Sequence, residues 1–74
     1  MINPRVQRAV EQAEADCPDL WVEVAEYADY THVTVNLRVG FRADGSELWE
    51  VEAEDSVPHS RVIRYIRDNT KGLR

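Results

Sequence analysis

Cysteine, proline and glycine are all scarce in this chain of 74 residues, with one, three and three of each. The one cysteine, Cys17, allows neither an intrachain disulfide nor a thiolate zinc cluster, so stapled secreted scaffolds are excluded and a reducing compartment is expected. So little proline and glycine, beside 43% hydrophobic and 31% charged residues, excludes disordered and repeat architectures. Long apolar runs are also missing. None exceeds the three residues Leu20, Trp21 and Val22, and no basic stretch followed by an apolar one stands at the start. Neither a signal peptide nor a membrane span is therefore expected, and the cytoplasm is the expected location.

Positive charge is scarce over most of the length. Residues 1–57 hold thirteen carboxylates against four arginines, a balance of −9, whereas residues 58–74 hold five basic residues against one acid, a balance of +4. Such polarity steers partners or pairs copies head to tail, and it also serves solubility alone. The length suits a single domain, residues 1–74, close to the size at which one core barely offsets chain entropy.

Local signals predict five elements. Asn3 caps a helix from Pro4 to Asp16, with Pro4 at the first position and Pro18 stopping propagation. Val6, Ala9, Val10, Ala13 and Cys17 form its apolar stripe, while Arg5, Arg8, Glu11, Gln12 and Glu14 face water. From Leu20 the period becomes two. Leu20, Val22 and Val24 point one way, with Trp21, Glu23, Ala25 and Tyr27 opposite. A second strand sets Val33, Val35, Leu37, Val39 and Phe41 against His32, Thr34, Asn36 and Arg38. The first turn runs either through Ala28 and Asp29 or through a slightly longer loop ending at Thr31.

In the third strand Trp49, Val51 and Ala53 alternate with Leu48, Glu50, Glu52 and Glu54. A two-residue turn at Asp44 and Gly45 would bury carboxylates. A three-residue loop of Ala43, Asp44 and Gly45, with Gly45 left-handed, instead pairs Val39 with Trp49, Leu37 with Val51 and Val35 with Ala53. A last helix begins near Pro58, capped by Ser56 or Val57, and ends before Gly72. Val62, Ile63, Ile66, Asn69 and Leu73 share one side of it, and Arg61, Arg64, Arg67 and Lys71 spread over the other. The expected fold is α+β in the order α-β-β-β-α, a three-stranded antiparallel meander with both helices on one face.

Candidate chemistry is sparse. Cys17 lies beside Asp16, Pro18 and Asp19, where negative charge disfavours a thiolate, so a structural thiol is expected. His32 and His59 share no metal-ligand spacing and are read as surface or capping residues. No phosphate loop, strained serine elbow or paired catalytic carboxylates are present. No enzyme activity, cofactor or metal is therefore expected.

The uncovered sheet face is more suggestive. On it Arg38 is expected to face Glu50, and Trp21 to lie across Gly40 toward Leu48, which protects an exposed sheet. Trp21, Tyr27, His32, Arg38 and Leu48 ringed by glutamates equally describe the aromatic centre and polar rim of a protein contact. Glu23 shares this face, and Glu50, Glu52 and Glu54 are expected to project from it in a row. That row serves either as a charged edge that blocks aggregation or as carboxylates about 7 Å apart that imitate a phosphate backbone.

The element order resembles, in outline over the whole chain, that of double-stranded-RNA-binding domains and of the small toxin ribonucleases that share their fold. The first resemblance implies RNA binding, and the second implies a catalytic histidine early on the second strand, where this chain has His32. The chain departs from both. Ser56, Val57, Pro58, His59, Ser60 and Arg61 stand where the RNA-binding domains carry glycine and lysine, and Tyr30 and Thr31 stand where the toxins carry glycine and serine.

The function expected from these residues is that of a small acidic interaction module. The role expected of it is that of an inhibitor of phage or mobile-element type, with its carboxylate-rich sheet on the basic surface of a larger protein. Nucleic-acid binding through Arg61, Arg64, Arg67 and Lys71 and ribonuclease action through His32 are the alternatives, and a homodimer is compatible with the first reading.

Overall fold

A computed structural model describes residues 3–72 and has the elements α1 (Pro4–Asp16), β1 (Leu20–Glu26), β2 (Thr31–Phe41), β3 (Glu47–Val57), a 3-10 turn (His59–Arg61) and α2 (Val62–Thr70). The strands form one antiparallel sheet in the order β1-β2-β3, and the fold is α+β as the periodicities predict. Asn3 caps α1 by accepting the Arg5 amide at 2.8 Å, and its own amide donates to Glu26 at 2.9 Å, which ties the start of the helix to the end of β1. Cys17 leaves the helix in extended conformation ahead of Pro18.

Val6 and Val10 of α1 and Val62 and Ile66 of α2 pack with Leu20, Val22, Val33, Val35 and Val57 of the sheet. Val33, Val35, Val62 and Ile66 have no exposed surface at all, so the core sits where both helices meet the centre of one sheet face. Among the described residues no helix is long and apolar enough to cross a membrane.

Strand β3 runs further than expected. Ser56 and Val57 do not cap the last helix; they are rungs opposite His32 and Thr31. Val57 and Thr31 are both buried, and that pairing keeps the chain in the sheet until Pro58 turns it into the 3-10 segment. Arg61 then precedes α2 with no side-chain cap. Leu73, assigned above to the apolar side of this helix, lies outside the described residues.

The first turn takes the shorter form: the Tyr27 amide donates to the Tyr30 carbonyl at 2.8 Å across Ala28 and Asp29. The second takes the three-residue form. Arg42 and Ser46 close it through a 2.7 Å bond, Gly45 has φ of 90°, and the Asp44 carboxylate accepts from both the amide and the hydroxyl of Ser46 at 2.9 and 2.7 Å.

The register between the strands departs from expectation over a short stretch. Gly40 faces Leu48 and Val35 faces Ala53 as predicted, but between them Arg38 faces Trp49, Leu37 faces Glu50 and Asn36 faces Val51. Val39 is an extra residue on β2 and Glu52 an extra residue on β3, so two bulges turn Trp49, Glu50 and Val51 over and then cancel. The expected pairs of Val39 with Trp49, Leu37 with Val51 and Arg38 with Glu50 are therefore corrected.

The cause is the reach of the helices. An eleven-residue strand spans ~36 Å and the nine-residue α2 only ~13 Å. The molecule measures 42 × 21 × 19 Å, and the outer part of the β2–β3 hairpin stands clear of both helices. Alternation fixes register only where one face is buried. Past Leu37 neither face is, as the exposure of Val39, Phe41 and Glu50 shows.

Candidate functional site

The sheet face away from the helices reads in rows across the strands. Pairing sets Ala25, His32 and Ser56 in one row, Glu23, Thr34 and Glu54 in the next, and Trp21, Asn36 and Val51 in a third. Arg38 and Trp49 follow, then Phe41 and Glu47. The face thus divides into a polar, acidic half near the first turn and an aromatic half near the bulges.

The aromatic half is built around Arg38. Its guanidinium binds Asp19 at 2.6 Å and Glu47 at 3.1 Å, and lies over the rings of Phe41 and Trp49 at 5.3 and 6.0 Å. Hydrogen bonding to Asp19, then to Glu47, makes its proton harder to remove than usual. The Trp49 indole N–H donates to the second oxygen of Glu47 at 2.9 Å, so one carboxylate orients both the arginine and the tryptophan. Trp21 meets Trp49 edge to face with centroids 5.6 Å apart. The Asn36 amide donates to the Trp21 carbonyl at 3.2 Å and is buried beneath the row.

These groups are held in place without being covered. Trp21 is 46% exposed, Val51 58% and Phe41 61%. An apolar cluster fixed by ion pairs and left in water is the arrangement of an interface centre, where rigid aromatic anchors lose little freedom on docking.

Of the residues that the sequence singled out, Trp21 and Arg38 belong to this half, and Glu23, Glu54 and His32 to the acidic half. His32 lies 3.0 Å from the Ser56 hydroxyl and 3.7 Å from Glu54, and the Thr34 hydroxyl donates to Glu54 at 3.3 Å. One carboxylate, Glu54, and one hydroxyl, Ser56, thus flank this histidine. Glu50 projects from the opposite face beside Leu37, and Glu52 occupies the bulge. Glu50, Glu52 and Glu54 therefore do not form one straight row. Leu48, opposite Gly40, points away from Trp49. Trp21 does not cover Gly40, since a side chain there would meet nothing within 4 Å. Tyr27 is remote, stacked on Tyr30 at the first turn with centroids 4.9 Å apart.

Sequence reasoning missed Trp49, Val51, Phe41, Glu47 and Asp19. Alternation assigned the first three to the covered face. The pairing of Asp19 with Arg38 joins residues 19 positions apart and has no local signature.

The basic residues of α2 separate. Arg64 pairs with Asp68 at 3.7 Å on the outer surface, and Arg61 precedes the helix, whereas Arg67 and Lys71 line a valley shared with α1. His59 is structural: it bonds the Thr31 hydroxyl at 2.7 Å and, through its other ring nitrogen, the Ala28 carbonyl at 3.2 Å, which clips the first turn to the start of α2. Cys17 is buried at one end of the valley. Among the described residues no group of three or more His, Cys, Asp or Glu side chains is placed to hold a metal ion.

Compared with known proteins, the chain matches no family model, no curated protein and no solved structure.

Proposed function

We propose that the protein is a non-catalytic interaction module that docks on a larger protein through the open face of its sheet. The observation that carries this reading is the cluster of exposed Trp21, Val51 and Phe41 with half-buried Trp49, held around the Arg38 ion pairs. Packing an apolar partner surface against it removes that surface from water, at roughly 25 cal/mol per Å². The row of Glu23 and Glu54, with Glu47 and Asp19 at the other side, gives the cluster an acidic rim. A partner with an apolar patch bordered by lysine or arginine complements both features, and the rim then favours rapid encounter. A domain this small acts most simply by covering part of a partner's surface, the role of an inhibitor of basic, often nucleic-acid-binding, sites.

The test compares affinity capture by the native protein and by a Trp21→Ser/Phe41→Ser variant, with folding checked by circular dichroism. A partner retained by the native protein should be lost from the variant and kept by Arg64→Glu, which alters the far side of the molecule. Equal retention by all three proteins would remove the basis for this reading.

A further inference from the structure

A second surface lies on the opposite side of the molecule. Between α1 and α2 runs a half-open valley of about 640 Å³. Its floor is apolar, made by the half-buried Ala9 and Ala13 from α1 and Ile63 from α2, with the fully buried Ile66 beneath. Its rim carries four cations, Arg5 and Arg8 on one side and Arg67 and Lys71 on the other, against one carboxylate, Asp16, which accepts from the Gln12 side-chain amide at 3.1 Å. Among the described residues Arg5, Arg67 and Lys71 have no side-chain hydrogen bond or ion pair, and Arg8 reaches only the Pro4 carbonyl at 3.5 Å. Elsewhere Arg38 and Arg64 are matched by carboxylates, while Arg42 reaches only the Ser46 hydroxyl at 3.4 Å and Arg61, among the described residues, has no side-chain partner. In a chain of net charge −5, the gathering of unpaired cations around one groove marks a surface that an anionic group would complete.

We infer that this valley is a docking groove for an acidic amphipathic helix of a partner protein. The shape favours this occupant. From Arg5 to Asp16 the valley follows twelve residues of α1, or ~18 Å, the length of about three helical turns. Alanines at positions 9 and 13 let a third helix approach closely, and the half-buried Ile63 supplies apolar contact for ridges of leucine. A helix with leucines on one stripe and glutamates beside them would bury the stripe on the floor and set its carboxylates against the four cations. A nucleic-acid strand fits less well. No aromatic ring lines the valley for bases to stack on, and a phosphate backbone would leave the apolar floor unfilled.

The experiment uses the full chain and a fluorescein-labelled peptide of about 14 residues, held helical by a side-chain lactam because so short a helix is marginal alone. The peptide carries leucines at i, i+3, i+4 and i+7 spacing and glutamates between them. Three further probes accompany it: the same peptide with lysine for glutamate, the same with serine for leucine, and a short RNA duplex. Saturable anisotropy with the acidic amphipathic peptide is the expected result, weakened about 10-fold or more, roughly 1.4 kcal/mol, in an Arg8→Glu/Arg67→Glu variant. Both substitutions are at exposed positions, and circular dichroism verifies the fold. The serine peptide should bind at least about 10-fold more weakly than the leucine one. The inference is overturned if the acidic peptide fails to saturate by about 1 mM, if the charge-reversed variant or the serine peptide binds as well, or if the lysine peptide or the duplex binds more tightly. The Trp21→Ser/Phe41→Ser variant should bind the peptide normally, which separates this groove from the sheet face.

Discussion

Replacing Val51 with lysine tests the two bulges directly. On a regular ladder Val51 would pair with Leu37 on the helix-covered face, and an ammonium group there would cost several kcal/mol. That loss would consume most of the stability of a 74-residue domain, on the order of 4–11 kcal/mol. In the observed register Val51 faces Asn36 on the open side and keeps 58% of its surface in water. Full burial of a valine is worth about 1.5–3 kcal/mol, so less than half of this, about 1 kcal/mol, is at stake. The aliphatic stem of lysine recovers part of it along the sheet. Thermal unfolding followed by circular dichroism should therefore show a drop of about 5 °C or less, since 1 kcal/mol corresponds to about 4–8 °C for a domain of this size. Ala53→Lys is the control. Ala53 faces Val35 against the core, inside the stretch where the register is regular, and the same charge there should lower the midpoint by about 15 °C or unfold the chain. A comparable collapse for Val51→Lys would mean that the bulges do not exist in solution and that Trp49 is a core residue.

Three other outcomes follow from local features. Gly45→Ala places a side chain at φ of 90° and should lower stability by about 1–2 kcal/mol, read as a shift in the urea midpoint with unchanged slope; no shift would contradict the left-handed turn. Burial raises the Tyr65 phenol above its ordinary 10.0, with Asp55 and then Glu54 adding to the effect. Because the folded value is the higher one, this contribution is complete below pH 10 and is lost as pH rises through the folded value, so Tyr65→Phe should flatten the alkaline limb of the stability curve. The Val22 amide, on the outer edge of β1, donates to Glu14 at 3.1 Å, and Glu14→Ala should increase association at high concentration as measured by light scattering. An unchanged mass would mean that this carboxylate does not guard the edge.

How far the sequence discloses this molecule depends on whether a helix lies overhead. Asn3, Pro4 and Pro18 delimit α1 because caps and prolines act within a few residues, and Asp44 and Gly45 specify their turn for the same reason. From Thr31 to Leu37 the helices pack on one face of β2, over Val33 and Val35, and alternation reads that face correctly. Beyond Leu37 no such selection operates. The bulges at Val39 and Glu52 were illegible, and with them the placing of Trp49 and Val51 beside Trp21. The candidate site was accordingly half visible, Trp21 and Arg38 being found and their partners missed. The helix valley was hidden for another reason. Arg5 and Arg8 read as a solvated face of α1, and only the rotation of the two helices about their axes, which has no local code, sets them across from Arg67 and Lys71.

The overhanging end of the β2–β3 hairpin behaves as a cantilever. Its outer rungs, from Arg38 to the Asp44 turn and back to Trp49, lack the buried valines that anchor the root, so amide exchange there should proceed by fraying at a fraction of the global unfolding free energy. Whatever closes over the tip can therefore bend or re-pair it while the globular root stays folded, and the elastic cost falls on a few rungs of ribbon rather than on the core.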